Sequence, residues 1–162
     1  MSESGHSPSK VSADAQRLFE DYCESLPDDE RPELAGAFSF GDSRTLADTL
    51  VDLVYMGEKT ATAPAKWTLE ANDESIPEPG DHWVVLDGKG EPRCVIQTTD
   101  VEEVPFADVS ADHATAEGEG DGSLAYWRET HLDYYRRTLP EGRSFDREIP
   151  VVCERFKIVY CA

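Results

Sequence analysis

The feature that most constrains this chain is a turn near its middle. Gly88-Lys89-Gly90 stands between His82–Asp87 and Arg93–Thr99, two runs with the alternation and residue types of strands. The Asp87-Gly88 step is the expected signal of a tight turn between antiparallel strands. A hairpin here commits the chain to a sheet, and the helical segments on either side must pack around it. The returning strand extends toward Val104, and Pro105, which has no amide hydrogen to donate, stops it.

The flanking segments read as helices with a few short extended pieces. Ser12-Ala-Asp-Ala-Gln opens a first helix, with Leu18, Phe19, Tyr22 and Cys23 at helical spacing and Pro27 beyond its end. Leu34–Phe40 is short and apolar and closes on Gly41. Asp42-Ser-Arg-Thr opens a second helix whose Leu46, Leu50, Leu53 and Val54 form one stripe, and Gly57 occupies the left-handed stop. Ser110–Gly122 is acidic and glycine-rich, with a short helix at its start. Ser123 caps a third helix, Leu124–Leu139, which sets Leu124, Trp127, His131 and Tyr134 or Tyr135 on neighbouring turns. A last strand, Val151–Tyr160, puts Val152, Phe156, Ile158 and Tyr160 on one face and Cys153, Arg155 and Lys157 on the other. The class is α+β, with helices around a small antiparallel sheet. Residues 1–11 read as a disordered lead-in.

At 162 residues the chain suits one domain and needs no covalent staple. Its charge excludes more than its size does. Fifteen Lys and Arg face 34 Asp and Glu, for a net charge of −19, and a field of that sign repels phosphates at low ionic strength. Only five of the cations are Lys. An acid-rich, Lys-poor surface fits a protein built for high salt, where the screening length falls to about 3 Å at 1 M. Cys23, Cys94, Cys153 and Cys161 form no C-x-x-C pair, and His6, His82, His113 and His131 are scattered. Neither a zinc pattern nor an EF-hand spacing around Glu117–Asp121 emerges, so reduced, mostly buried thiols and no metal or cofactor are expected. The apolar runs are too short to span a bilayer and Met1–Lys10 lacks a signal-peptide stretch, so no membrane partner and a cytoplasmic location are expected.

The chemistry-bearing stretch is Gly57-Glu-Lys-Thr-Ala-Thr62. Read plainly, it is a helix stop running into a strand with a solvated lysine. A phosphate-binding loop is excluded, because that loop follows a strand and opens a helix, and here the helix comes first. Gly57-x-Lys59-x-x-Thr62 after an amphipathic helix resembles the signature of ASCH domains, relatives of the PUA-like RNA-binding barrels. The resemblance runs over about residues 39–160. It takes in Phe40-Gly-Asp-Ser, Trp67 with Glu70, Gly80-Asp81, Val104-Pro-Phe, Ala116-Glu-Gly-Glu-Gly-Asp121, Leu124-x-Tyr-Trp127 and Val151-Val-Cys-Glu-Arg-Phe156, and is closest in style to the larger bacterial and archaeal branch. It implies a small antiparallel β-barrel flanked by helices over residues 39–162, preceded by a helical extension at 12–38, with a cleft beside the lysine loop. It also implies one of two activities: removal of the acetyl group from N(4)-acetylcytidine, or RNA binding, with ribonuclease action in some members. The deacetylating members use a Lys, a Thr three residues later and a downstream Glu. These carry over to Lys59, Thr62 and, through Ala114-Thr-Ala-Glu117, to Glu117, with Glu119 the competitor two residues on.

Amide hydrolysis needs a nucleophile, a base and an acid for the departing amine. Thr62 attacks if desolvation leaves Lys59 neutral, and Glu117 positions Lys59 or shuttles a proton. These demands compete, because a carboxylate against Lys59 holds it cationic. Residues three apart also face opposite sides of a straight strand, so the chain must turn between Lys59 and Thr62. Thr60, Trp67 and Glu70 are the candidate substrate-binding residues: Trp67 offers either a core cap or a stacking face, and Glu70 a solvated carboxylate or an acceptor for a base amine. Tyr126, Trp127, Tyr134 and Tyr135 read as core, and His113 and His131 as packed or solvent-facing. The favoured reading is an enzyme acting on an uncharged, nucleoside-like amide. The alternatives are a module that binds or cleaves single-stranded RNA through a local cluster of Lys59, Arg93, Arg155 and Lys157, and a regulatory domain that senses a nucleotide-like ligand.

Overall fold

The computed structural model describes residues 11–162, so positions 1–10 of the expected lead-in lie outside the described residues. The helices are α1 (Ala13–Glu24), α2 (Arg44–Tyr55), α3 (Lys66–Ala71), α4 (Ala111–Glu117) and α5 (Leu124–Thr138). The strands are β1 (Leu34–Phe38), β2 (Ala61–Thr62), β3 (His82–Leu86), β4 (Pro92–Pro105) and β5 (Pro150–Cys161). They form one five-stranded sheet in the order β1-β3-β4-β5-β2. The architecture is α+β, and the β3–β4 hairpin sits at its centre, with Val84 opposite Val95.

The sheet departs from an all-antiparallel pattern at one edge. β1 runs parallel to β3, from Leu34 opposite His82 to Phe38 opposite Val85. The intervening α2, β2 and α3 supply the long crossover that a parallel pair requires. β1 lies before residue 39, so the sheet draws its first strand from the 12–38 segment. β1 and β2 end the sheet and share no ladder among the described residues.

Serine hydroxyls start four of the helices. Ser12, Ser43, Ser110 and Ser123 each accept from the amide three residues on, in α1, α2, α4 and α5 respectively, a contact worth about 1 kcal/mol. Gly57, at φ +81°, ends α2 as its position in the sequence implied. Alternation along β3 then sorts the layers: Trp83 and Val85 face Leu50, Val51 and Val54 of α2, while Val84 faces Leu18, Phe19 and Tyr22 of α1. A third cluster joins Trp127 and Tyr135 of α5 to Phe106, Val151 and Cys153.

Two details of β5 differ from the period-2 reading. A register shift opposite Val95 and Ile96 sends Tyr160 to the α1 side, where its ring lies 5.9 Å from that of Tyr22, because one extra residue in a strand inverts the facing of all that follow. Glu154 is fully buried on the face of Phe156. Of the thiols, Cys94 and Cys153 are buried, Cys23 is half-buried and Cys161 is exposed, all unbridged. No helix among the described residues is long and apolar enough to cross a membrane.

Candidate functional site

The helix stop is also the turn that the site requires. Past Gly57, the amides of Glu58 and Lys59 both donate to the Leu53 carbonyl, at 2.9 and 3.1 Å. Thr60 is then gripped from both sides, its amide donating to Ala116 O at 2.7 Å and its carbonyl accepting from Phe156 N at 3.0 Å. Within this bend the Lys59 side chain folds back over its own backbone, and Nζ donates to Ala61 O at 2.9 Å. The same Nζ donates to Glu117 Oε1 at 3.2 Å and to Glu119 Oε2 at 2.7 Å. An ammonium has three N–H groups, and all three are engaged.

Glu117 closes α4 and is 1% exposed. Besides Lys59 it accepts from His113 Nε2 at 2.9 Å and from Trp127 Nε1 at 2.6 Å, and His131 Nε2 lies 3.6 Å from Oε1. Spacing explains the cluster: His113 and Glu117 are four apart on α4, Trp127 and His131 four apart on α5, so each pair shares a helix face. The two rings of the α5 pair stack at 4.1 Å. Gly118 makes the close approach possible. It stands at φ +69°, and a Cβ there would sit 2.0 Å from Glu58 O, so α4 ends against the lysine loop only with glycine at this position.

The charges hold one another in place. Burial works to depress the Lys59 pKa, but Glu117 and Glu119 outweigh it and raise the value above that of an ordinary lysine. Burial likewise opposes ionisation of Glu117, yet Lys59 first, and His131 and His113 after it, hold its carboxyl well below the usual range. Of the two demands weighed against each other in the sequence, the cationic one prevails: two carboxylates against a buried ammonium keep Lys59 charged. Glu117 is correspondingly an ionised, fully engaged anchor rather than a source of protons. Both Glu117 and Glu119, the two candidates for the downstream carboxylate, bind Lys59.

Lys59, Thr62, Glu117 and Glu119 line one cleft with Phe40, Leu46, Leu50, His131, Tyr134 and Arg137. Its cavity volume is about 70 Å³; with the open space at its mouth included, the empty space is about 550 Å³. Phe40 floors the lysine, its ring centroid 5.2 Å from Nζ. At the mouth, Arg137 is taken up by Asp42, at 2.8 and 3.3 Å, and by Asp133 at 2.5 Å.

The other candidates lie elsewhere. Thr60 directs its hydroxyl to Ala116 O at 3.1 Å and borders a separate small groove beside Phe156 and Ile158. Trp67, on α3, packs on the Phe106–Trp127 cluster with the Arg143 guanidinium 4.2 Å over its ring, and Glu70 is exposed on the same helix. None of the three lines the cleft. The basic cluster does not assemble either: Lys59 is buried and Arg93 pairs with Asp52 at 3.6 Å. Arg155 borders a wider groove on the other face of the sheet beside Asp100, Glu102 and Asp108. Sequence reasoning passed over His113, Trp127 and His131 as site residues, whose i, i+4 spacings were the available signal, and Glu154, whose place between Val152 and Phe156 on the apolar face of the last strand was one. No group of His, Cys, Asp and Glu among the described residues is disposed to hold a metal ion.

Comparison with known proteins agrees with this architecture. The ASCH domain family model matches residues 36–160. The structure is similar to the ASCH domain from Lactobacillus crispatus JV V101, with 32% identity and a TM-score of 0.85 over 93% of this chain and 96% of that one. It is also similar to protein EF3133 from Enterococcus faecalis V583, with 30% identity and a TM-score of 0.75 over 90% of each chain. No curated protein is significantly similar to the chain.

Proposed function

The chain belongs to the ASCH domain family, and we propose that within it this protein hydrolyses a small, uncharged acylated amide of the N(4)-acetylcytidine type, with Thr62 as nucleophile. The observation that carries the reading is the convergence of Lys59 and Thr62, from the loop after α2 and the strand it enters, with Glu117 of α4 on one cleft with apolar walls. Leu46, Leu50, Phe40 and Tyr134 offer flat and aliphatic surface to a pyrimidine, and the polar groups gather at the inner end.

The roles follow from the charges. Thr62 Oγ attacks the acyl carbon, and the oxygen that becomes negative is stabilised by the Lys59 ammonium. Since every N–H of Lys59 is engaged, the acyl oxygen must replace one partner. Glu119 is that partner: its side chain is 17% exposed against 1% for Glu117, and it rides between Gly118 and Gly120, both at positive φ. Glu117, locked by Trp127 and His113, keeps the ammonium charged and aimed. Two carboxylates beside one ammonium, and an arginine already bound by Asp42 and Asp133, favour a ligand without phosphate. For the same reason RNA is the weaker reading: of the cations it would need, Lys59 is buried, Arg93 is paired with Asp52 and Arg155 lies beside Asp100, Glu102 and Asp108, which leaves Lys157 exposed.

Release of acetate from N(4)-acetylcytidine, measured in concentrated KCl, tests this. The wild type should turn over and Thr62→Ala should fall to background with its fold intact. Unchanged turnover in Thr62→Ala discards the nucleophile. An inactive wild type that binds single-stranded RNA with a steep salt dependence replaces this reading with the RNA one.

A further inference from the structure

A polar row crosses the sheet beneath the cleft, one residue from each of four adjacent strands. Trp83 Nε1 on β3 donates to Thr98 Oγ1 on β4 at 3.1 Å, and Thr98 Oγ1 donates to Glu154 Oε2 on β5 at 2.7 Å. Thr62 on β2 is the residue opposite Glu154. The tryptophan N–H can only donate, so the Thr98 hydroxyl accepts from it and must turn its own proton to Glu154. The direction of the row is thereby set, with the carboxyl at the end nearest Thr62. The Phe156–Thr60 and Val152–Pro64 backbone bonds on either side make Thr62·Glu154 a hydrogen-bonded pair, with Cα atoms about 5.5 Å apart and side chains on the same face. That pairing sets the Glu154 carboxyl and the Thr62 hydroxyl on neighbouring strands of one face.

Resting on the acyl-transfer reading above, we propose that Glu154 is the general base for Thr62, the role that Lys59, held as an ammonium, cannot fill. Glu154 takes the Oγ proton as Oγ bonds the acyl carbon and the carbonyl electron pair moves to oxygen. When the pair returns and the C–N bond breaks, the nitrogen leaves with that proton. Water, deprotonated by the same carboxylate, then attacks the Thr62 ester, releasing the carboxylic acid and restoring the hydroxyl. The surroundings of Glu154 suit a base at neutral pH. Burial pushes its carboxyl up to about 7, the Thr98 hydrogen bond works against that rise and the charge of Asp81 adds to it. The face of α2 turned to the sheet is apolar, with Ala47, Leu50, Val51 and Val54, and Lys59, at the approach to β2, is engaged by its own two carboxylates.

Acetylation of Thr62 by p-nitrophenyl acetate, followed by mass spectrometry across a pH series, tests Glu154 without presuming the natural substrate. The wild type should label Thr62 with a rate that rises through about pH 7 as Glu154 ionises. Glu154→Gln should lose that limb and slow labelling by about 10²-fold or more. Thr98→Val, which removes the hydrogen bond favouring the charged form, should move the limb to higher pH, a shift that a merely structural carboxyl would not produce. Equal labelling in Glu154→Gln, an unlabelled Thr62 in the wild type, or a limb that Thr98→Val leaves in place would each overturn the assignment. A wild type labelled at Thr62 in this Glu154-dependent way but inert toward N(4)-acetylcytidine would retain Glu154 and remove only that substrate.

Discussion

Replacing Lys59 by Met isolates the electrostatic core of the site. Methionine keeps most of the aliphatic stem over Phe40 but deletes the charge, leaving Glu117 buried without its strongest partner. Removing one member of a buried ion pair costs about 3–5 kcal/mol. Because Glu117 retains its contacts with His113, Trp127 and His131, the lower end of that range applies. The loss should depend on pH with a definite sign. The wild-type Glu117 has a folded pKa well below 4.5, so its contribution to stability is present above the unfolded value and fades as pH falls through the folded one. Without Lys59 the folded pKa rises, so the deficit of the variant should be largest near neutral pH and shrink as pH falls through the carboxylate range. Urea unfolding at constant high KCl measures this directly. Lys59→Met with Glu117→Gln should be less destabilised than the two single losses added together, since neither charge is then orphaned. A Lys59→Met protein within about 1 kcal/mol of the wild type at neutral pH, or strict additivity in the double variant, would refute the claim that these charges sustain each other.

Three further outcomes follow from the same contacts. Glu154, raised by burial from 4.5 to about 7, favours the fold in its neutral form, so stability should fall by about 3 kcal/mol as pH rises across that interval, and Glu154→Gln should flatten the slope in a pH series of unfolding curves; an unaltered slope would contradict it. Gly118→Ala combines a φ of +69° with a Cβ 2.0 Å from Glu58 O and should lose well over about 1 kcal/mol in thermal unfolding, with the Lys59 loop displaced; a loss of a few tenths would show that the contact yields easily. Glu119→Gln should lower KM for the amide, because the acyl oxygen then competes with a neutral partner for Lys59, whereas Glu117→Gln should lower kcat; the reverse split would exchange the roles given to the two carboxylates.

What was legible in the sequence was what local rules control. The Asp87-Gly88 turn, the stripe from Leu46 to Val54 and the Ser123 cap act within a few residues, and the elements they mark are those found. The parallel entry of β1 was not legible, because pairing across a crossover of more than forty residues depends on which strand edge remains available rather than on any local pattern. The inversion at Tyr160 escaped for a related reason, as a register shift leaves the alternation of the strand itself unchanged. At the site, the lysine signature located the cleft, and the acidic string narrowed the carboxylate to two positions that both turned out to bind Lys59. The charge state of that lysine was open until the distance to those carboxylates was known. Trp67 was left between a core cap and a stacking face, because the sequence carries no sign of the cluster it packs on or of the Arg143 side chain that covers it. Glu154 went unread although the alternation of the last strand sets it between Val152 and Phe156 on the apolar face, and only the strands beside it show that it is sealed in.

The most direct test of the central claim is a crystal structure of the Thr62→Ala protein soaked with N(4)-acetylcytidine. The account predicts the pyrimidine against Phe40, Leu50 and Tyr134, the acyl carbon beside the vacated Oγ position, and the acyl oxygen on Lys59 Nζ in place of Glu119. The ligand in the acidic groove beside Arg155, or in the cleft with its acyl group turned away from residue 62 and Lys59, would contradict it.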